Sequence, residues 1–237
     1  MVGSTDHLRK NPGVYEVFLR RECDARVVSV IRRDLDRTYP KHPLFMRGNE
    51  SHALDKLDNV LRAYANFAPE IGYCQGLNFL VALLLMQMPE EDAFWMLVVL
   101  MKEPRFNLQR LFGPGLPMLQ DMFRRHELEL FETLPDLYTH FLHQGIRTSM
   151  YSSAWFHTLF TSSFPLRTSL RVFDVLLLEG LDIIFVVTMR IMRACKATLL
   201  RTYDLDIVTF LRDVPQTYLD PDTLLAEEPA RWWGPWS

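Results

Sequence analysis

Two short stretches of this 237-residue chain carry side chains able to present a fixed charge or to position a water. In the first, Ile31-Arg-Arg-Asp34-Leu-Asp-Arg37-Thr38-Tyr-Pro40, an arginine follows an aspartate by three residues. On a helix that spacing puts both on one side, where the carboxylate can hold the guanidinium by a charge-assisted hydrogen bond and fix an otherwise floppy side chain. The same spacing is that of an ordinary surface ion pair, worth at most about 1 kcal/mol. In the second, Ile71-Gly72-Tyr73-Cys74-Gln75-Gly76-Leu77-Asn78-Phe79, two glycines bracket a polar and aromatic group ahead of an apolar run. Glycines there let backbone approach another surface closely. Gln75 can donate from its amide and accept on its carbonyl at once, which is what positioning a water requires. A helix cap or a loop-holding hydrogen bond would use the same groups.

The elements that must carry these residues read as helices. Glycine is scarce (10) and proline scattered (14), and apolar residues recur at spacings of three and four, as in Val27, Ile31, Leu35 and in Leu54, Leu57, Leu61, Tyr64. Start and stop signals predict helices at about 12–22, 25–38, 51–67, 75–88, 90–102, 115–132, 136–144, 149–162, 167–179, 181–201 and 204–213, with no convincing strand. Pro12 suits a first helical turn, Ser51 can cap a helix, and Glu90, Glu91 and Asp92 suit a positive helix N-terminus. The segments Leu77–Met86, Ala93–Met101 and Ile183–Met192 are apolar around most of their circumference, which makes them central. Arg37 then falls in a last helical turn before Pro40, near solvent, with Arg33 one turn earlier on the same face.

Composition narrows the chemistry. At 49% hydrophobic and 23% charged, the chain can bury a substantial core. A net charge of -3 argues against whole-molecule attraction to nucleic acid or anionic lipid. Cys23, Cys74 and Cys195 lie far apart with no CxxC, which fits a reducing compartment and neither a disulfide framework nor a zinc knuckle. The polar N-terminus has no apolar signal region and no apolar run is long enough to span a bilayer, so a cytoplasmic protein is expected. No GxxxxGK[ST], GxSxG or HExxH occurs, and His140 and His143 read as two polar helix residues without a third ligand, so no metal site is expected. The tail, Arg231-Trp-Trp-Gly-Pro-Trp-Ser, is aromatic and can serve packing or binding alike.

Taken together, the two stretches resemble the TBC-domain Rab GTPase-activating proteins, whose IxxDxxR and YxQ motifs occur here as Ile31, Asp34, Arg37 and Tyr73, Gln75. Flanking segments resemble the family in order and spacing: Leu61-Arg-Ala-Tyr64, Ala93-Phe-Trp95, Ser149-Met-Tyr-Ser-Ser-Ala-Trp155-Phe156, and Arg171-Val-Phe-Asp174 running to Gly180. The resemblance covers about residues 12 to 213. It implies an all-α, V-shaped, two-lobed domain spanning 1–237, with an N-terminal lobe (1–145) carrying both motifs and a C-terminal lobe (146–237).

It further implies an activator that docks on a GTP-bound Rab-family GTPase and supplies catalytic residues in trans. Arg37 matches the arginine finger and Gln75 the glutamine finger, with Asp34 orienting Arg37 and Tyr73 supporting the glutamine loop. The residue types agree, because phosphoryl transfer needs charge neutralised on the γ-phosphate and an oriented water. Arg33 and Asn78 are read as partner contacts, and Trp155, Phe156, Asp174 and Gly180 as organisers of the C-terminal lobe. No cofactor of its own is expected, GTP and Mg²⁺ being carried by the partner. Membrane contact would be indirect, by peripheral recruitment to endomembranes in vesicle trafficking. One departure stands out: the family's upstream Arg and Trp motif is missing from the residues before Ile31. Either the sequence starts inside the domain or this chain has dispensed with that element. A non-catalytic Rab-binding scaffold and a helical adaptor are the alternatives, and the presence of both fingers favours the activator.

Overall fold

The computed structural model describes residues 10–46, 52–217 and 220–225. Among these the regular structure is entirely helical: α1 (Val14–Arg20), α2 (Ala25–Leu35), a 3₁₀ turn (Pro43–Phe45), α3 (Ala53–Phe67), α4 (Leu77–Leu85), α5 (Glu90–Lys102), α6 (Gln109–Phe112), α7 (Pro117–Thr133), α8 (Pro135–His143), α9 (Thr148–His157), α10 (Leu166–Glu179), α11 (Asp182–Leu199), α12 (Asp206–Thr217) and α13 (Pro221–Leu225).

The helices pack in two groups. In the first, α3 is the hub, touching α1, α2, α4 and α5. Its Leu57, Leu61 and Tyr64 recur at helical spacing and are essentially inaccessible to solvent. Helix α5 is buried on every side from Ala93 to Met101, and α4 nearly so, as their continuous apolar sequence requires. A polar staple ties the outer helices to this core: Glu90, in the first turn of α5, accepts hydrogen bonds from Tyr15 Oη at 2.5 Å and Asn59 Nδ2 at 3.0 Å. In the second group α7 packs on α8, α9 and α11, α9 on α12, and α10 and α11 on each other and on α13. Trp155 and Phe156 lie at its centre as expected, whereas Asp174 is exposed and organises no core.

Several boundaries differ from the sequence reading. Helices α7 and α8, assigned there to an N-terminal lobe ending at 145, pack with the second group, because their apolar faces meet α9 and α11. Helix α2 stops at Leu35 rather than 38: the Arg37 and Thr38 amides bond to the carbonyls of Asp34 and Leu35, tightening the last turn, and Tyr39 takes a left-handed conformation (φ 44°) before Pro40. Helix α9 stops at His157 rather than 162, since Leu159 and Phe160 are left-handed. Helix α12 runs past 213 to bury Val214 and Pro215. The 3₁₀ turn, α6 and α13 are too short to show a period. Ser51 and the tryptophan-rich tail lie outside the described residues, and Pro12 sits in a turn ahead of α1. His140 Nε2 donates to the Thr202 carbonyl at 2.8 Å, an ordinary helix-to-loop contact.

One buried polar pair makes stability pH-dependent. His126 of α7 is wholly buried, shares a 2.8 Å hydrogen bond between Nε2 and Tyr151 Oη of α9, and its Nδ1 has no hydrogen-bond partner among the described residues. Burial pushes its pKa down to about 3. An unfolded histidine titrates near 6.5, so below that pH the unfolded state binds a proton that the folded state refuses. The stability tied to neutral His126 is therefore complete above about pH 6.5 and falls by about 1.4 kcal/mol per pH unit as pH drops toward 3. Urea titrations at pH 7 and pH 5 should show a loss of about 2 kcal/mol that is absent from the non-titrating His126→Gln variant. Equal losses in both proteins would assign the acid sensitivity elsewhere.

Candidate functional site

The site is built where the tightened end of α2 meets the loop leading into α4. Asp34 ends α2 on its inner side, its side chain 8% exposed, and one carboxylate oxygen, Oδ1, accepts from Arg37 Nε and Nη2, both at 2.8 Å. Tyr73, arriving from the other segment, donates its hydroxyl to Oδ2 at 2.5 Å. One carboxylate thus holds both segments. Burial, the Asp34 hydrogen bond and the Asp34 charge all push the Tyr73 phenol up, so it stays a protonated donor.

Beneath this pair the hydrogen bonds continue. Thr38 Oγ1 donates to the Asp34 carbonyl at 2.6 Å and accepts from Asn78 Nδ2 at 2.8 Å, while Asn78 Oδ1 accepts from the Gly76 amide at 3.1 Å. Thr38 and Asn78 are both 0% exposed. Asn78, read from sequence as a partner contact, is therefore corrected to an internal brace: at the first turn of α4 it faces α2 instead of solvent. Arg33 is exposed on α2.

Above the brace, the two candidate fingers meet. The Arg37 side chain is 43% exposed and Gln75 is exposed, in the turn just ahead of α4. With the Gln75 amide turned so that its oxygen faces the guanidinium, that oxygen accepts from Arg37 Nη2 at 2.9 Å and Nη1 at 3.2 Å. The turn depends on Gly76, whose φ of +105° is unfavourable for any other residue. A planar cation fixed along one edge by a buried carboxylate, beside an amide able to donate and accept, can neutralise phosphate oxygens and orient a water.

Two contacts escaped the sequence reading. Cys74 Sγ lies 3.5 Å from His157 Nε2 at the end of α9, and Tyr39 Oη donates to the Thr161 carbonyl at 2.6 Å. Burial, with Asp34 adding to it, raises the Cys74 thiol, and burial lowers His157, so the pair is a neutral thiol and a neutral imidazole. Only the Thr38 back-bond had a local signal, a threonine four residues after a helical carbonyl. Among the described residues no cluster of three or more His, Cys, Asp or Glu could hold a metal, and no helix is long and apolar enough to cross a membrane.

This all-helical domain presents a braced arginine and a glutamine at its surface instead of enclosing them in a pocket. Residues 4–200 match the model of the Rab-GTPase-TBC domain, and the chain belongs to that family. It is 42% identical over 198 residues to the Rab GTPase-activating protein eat-17 of Caenorhabditis elegans, covering 82% of this chain and 22% of that protein. It is 43% identical over 172 residues to the human ecotropic viral integration site 5 protein homolog, covering 73% of this chain and 21% of that protein. The chain thus spans about a fifth of the length of these relatives. Among solved structures it is similar to the Chlamydomonas flagellar RabGAP TBC domain, with a TM-score of 0.80 and 25% identity over 94% of this chain and 74% of that one. The Ypt/Rab-GAP domain of Gyp1p shares the fold, with a TM-score of 0.79 at 20% identity over 93% of this chain and 78% of that one.

The brace predicts a stability effect that a surface contact would not have. Asn78→Ala leaves Thr38 Oγ1 and the Gly76 amide short of a buried partner and should cost about 1 to 3 kcal/mol in urea unfolding. A loss below about 0.5 kcal/mol would return Asn78 to the surface role.

Proposed function

We propose that this domain accelerates GTP hydrolysis by a Rab-family GTPase, with Arg37 as an arginine finger and Gln75 as a glutamine finger. The observation that carries this reading is the convergence of the two side chains. Arg37 and Gln75 come from separate segments, point to solvent within hydrogen-bond distance, and stand on one buried network. Family membership, and the relatives named as Rab GTPase activators, support the same partner class.

In this reading Asp34 keeps the Nε edge of the guanidinium, so that edge needs no reorganisation in the transition state. The Nη hydrogens now given to Gln75 are the ones that pass to γ-phosphate oxygens on docking, and the released Gln75 amide orients the attacking water. GTP and Mg²⁺ arrive with the GTP-bound partner. Arg33 extends the contact along α2, and recruitment to endomembranes in vesicle trafficking follows the Rab, without a lipid anchor being invoked.

Single-turnover phosphate release from a panel of GTP-loaded Rabs tests this. At least one Rab should be stimulated, and Arg37→Ala, folded, should lose about a thousandfold of that stimulation. Gln75→Ala should lose about a hundredfold. Arg37→Lys should not restore the rate, because a point charge cannot engage Asp34 and phosphate as a planar fork does. Rescue by lysine, or binding without stimulation across the panel, would replace the activator reading with a Rab-binding scaffold. Loss of thermal stability in Arg37→Ala and Gln75→Ala without any Rab binding by the wild type would leave a helical adaptor.

A further inference from the structure

Both finger-bearing segments lean on one turn of the second helix group. Two residues after Arg37, Tyr39 Oη donates to the Thr161 carbonyl at 2.6 Å, across 122 residues of sequence. One residue before Gln75, Cys74 Sγ meets His157 Nε2 at 3.5 Å, across 83 residues. One residue after Gln75, Gly76 faces the same place: a Cβ there would stand at ordinary van der Waals distance from Thr158 Cγ2 (3.5 Å), the Phe112 ring (3.6 Å) and the His157 carbonyl oxygen (3.7 Å). Each finger is therefore flanked by contacts to the span from His157 to Thr161.

That span is built to hold still. Leu159 and Phe160 adopt consecutive left-handed conformations (φ 50° and 64°), which L residues with side chains avoid unless their surroundings enforce it. The enforcement is burial: Leu159 is 2% and Phe160 0% exposed, and the Phe160 ring stacks on Phe164 with centroids 4.6 Å apart. Thr158 Oγ1 donates to the Ala154 carbonyl at 2.7 Å and Thr161 Oγ1 to the Thr158 carbonyl at 2.6 Å, closing the turn on itself. Phe112 packs against the His157 ring, with centroids 5.4 Å apart, and limits its rotation.

The Asp34 network fixes the base of Arg37, and of its members Arg37 alone is hydrogen-bonded to the Gln75 side chain. Gln75 sits between Cys74, whose thiol meets His157 on the turn, and Gly76, whose amide donates to Asn78 Oδ1 and whose open Cβ side faces the turn. We propose that the His157–Thr161 turn sets the separation of Arg37 and Gln75, with Tyr39 and His157 acting as positioning residues for the two fingers. Because one rigid turn takes both contacts, a shift of the second helix group carries the fingers together and preserves their spacing. The inference rests on the finger reading for its consequence in rate, and on the free protein alone for its geometry.

Two variants remove one atom group each. Tyr39→Phe deletes the hydroxyl and keeps the ring packing on Phe45 and Phe79, and His157→Phe keeps the ring against Phe112 and deletes the ring nitrogen that pairs with the Cys74 sulfur. In single-turnover assays on the responsive Rab each should lower the saturating rate about tenfold while leaving the half-saturating concentration within about twofold. His157→Gln, whose amide can accept from the thiol or donate to the sulfur, should recover most of the rate. In a Gln75→Ala background His157→Phe should have no further effect, because it acts through Gln75. In parallel, ¹H–¹⁵N spectra of the free protein, with the Gln75 side-chain amide assigned from Gln75→Ala, should show that amide moving toward solvated-glutamine positions in His157→Phe and staying in place in His157→Gln. An unmoved Gln75 amide overturns the proposal whether or not any Rab responds. A moved amide with no responsive Rab upholds the geometry and overturns only the activator reading. A uniform rise in half-saturating concentration for both variants, or an equal rate loss from His157→Phe with and without Gln75, would mark these as general packing residues and end the proposal.

Discussion

A carboxylate taken out of water must be met by donors on both oxygens, and the arrangement of this site follows from how Asp34 meets that demand. Desolvating an isolated carboxylate costs several kcal/mol, which only close, well-aligned partners offset. Arg37 supplies two N–H groups to Oδ1 and Tyr73 one O–H to Oδ2. Neither partner can leave without stranding the charge, so the end of α2 and the loop before α4 are clamped across 39 residues of sequence by a single side chain. The neighbouring polar groups then have no water to fall back on. Thr38 closes the Asp34 carbonyl, Asn78 closes Thr38, and Gly76 closes Asn78, each as donor to the one before it. A buried network of this kind is worth having only when complete, and here each link reaches a partner.

The burial of the brace and the exposure of what it braces are two sides of one requirement. A residue that acts on another protein's substrate has to leave its own surface, yet an arginine in water samples many rotamers. Fixing the Nε edge from below removes most of that freedom and leaves the Nη edge outward. No enclosed cavity is needed. The hollow of about 830 Å³ between α7, α8 and the start of α9, lined by Phe123, Tyr138, Leu142 and Arg147 among others, contains none of the site residues.

What the sequence made legible was local. The apolar runs of α4, α5 and α11 declared a helical core, because burial on all sides leaves no polar face to write. The Asp34–Arg37 pair was readable from its three-residue spacing, although spacing could not separate a braced arginine from a surface ion pair. The deciding fact, an 8% exposed carboxylate, comes from tertiary packing. Asn78 misled for the same reason: an asparagine at a helix start looks solvated until the neighbouring segment is laid over it. That helix α7 packs on α8, α9 and α11 was not readable either, because a helix's apolar face does not say which neighbour it meets.

The contacts least legible are the ones that span the seam between the helix groups. A tyrosine hydroxyl on a carbonyl and a thiol beside an imidazole have no period and no motif, and their partners are separated by 122 and 83 residues. The turn that receives them hides equally well, since left-handed backbone is ordinarily announced by glycine or asparagine, and here leucine and phenylalanine occupy it. Such positions are held by the fold rather than chosen by the residue, which is why strain and burial coincide at Leu159 and Phe160. Arg37 and Gln75 stand on one side of that seam, and Tyr39 and Cys74 beside them rest on a single buried turn of the other, in which Leu159 and Phe160 are left-handed.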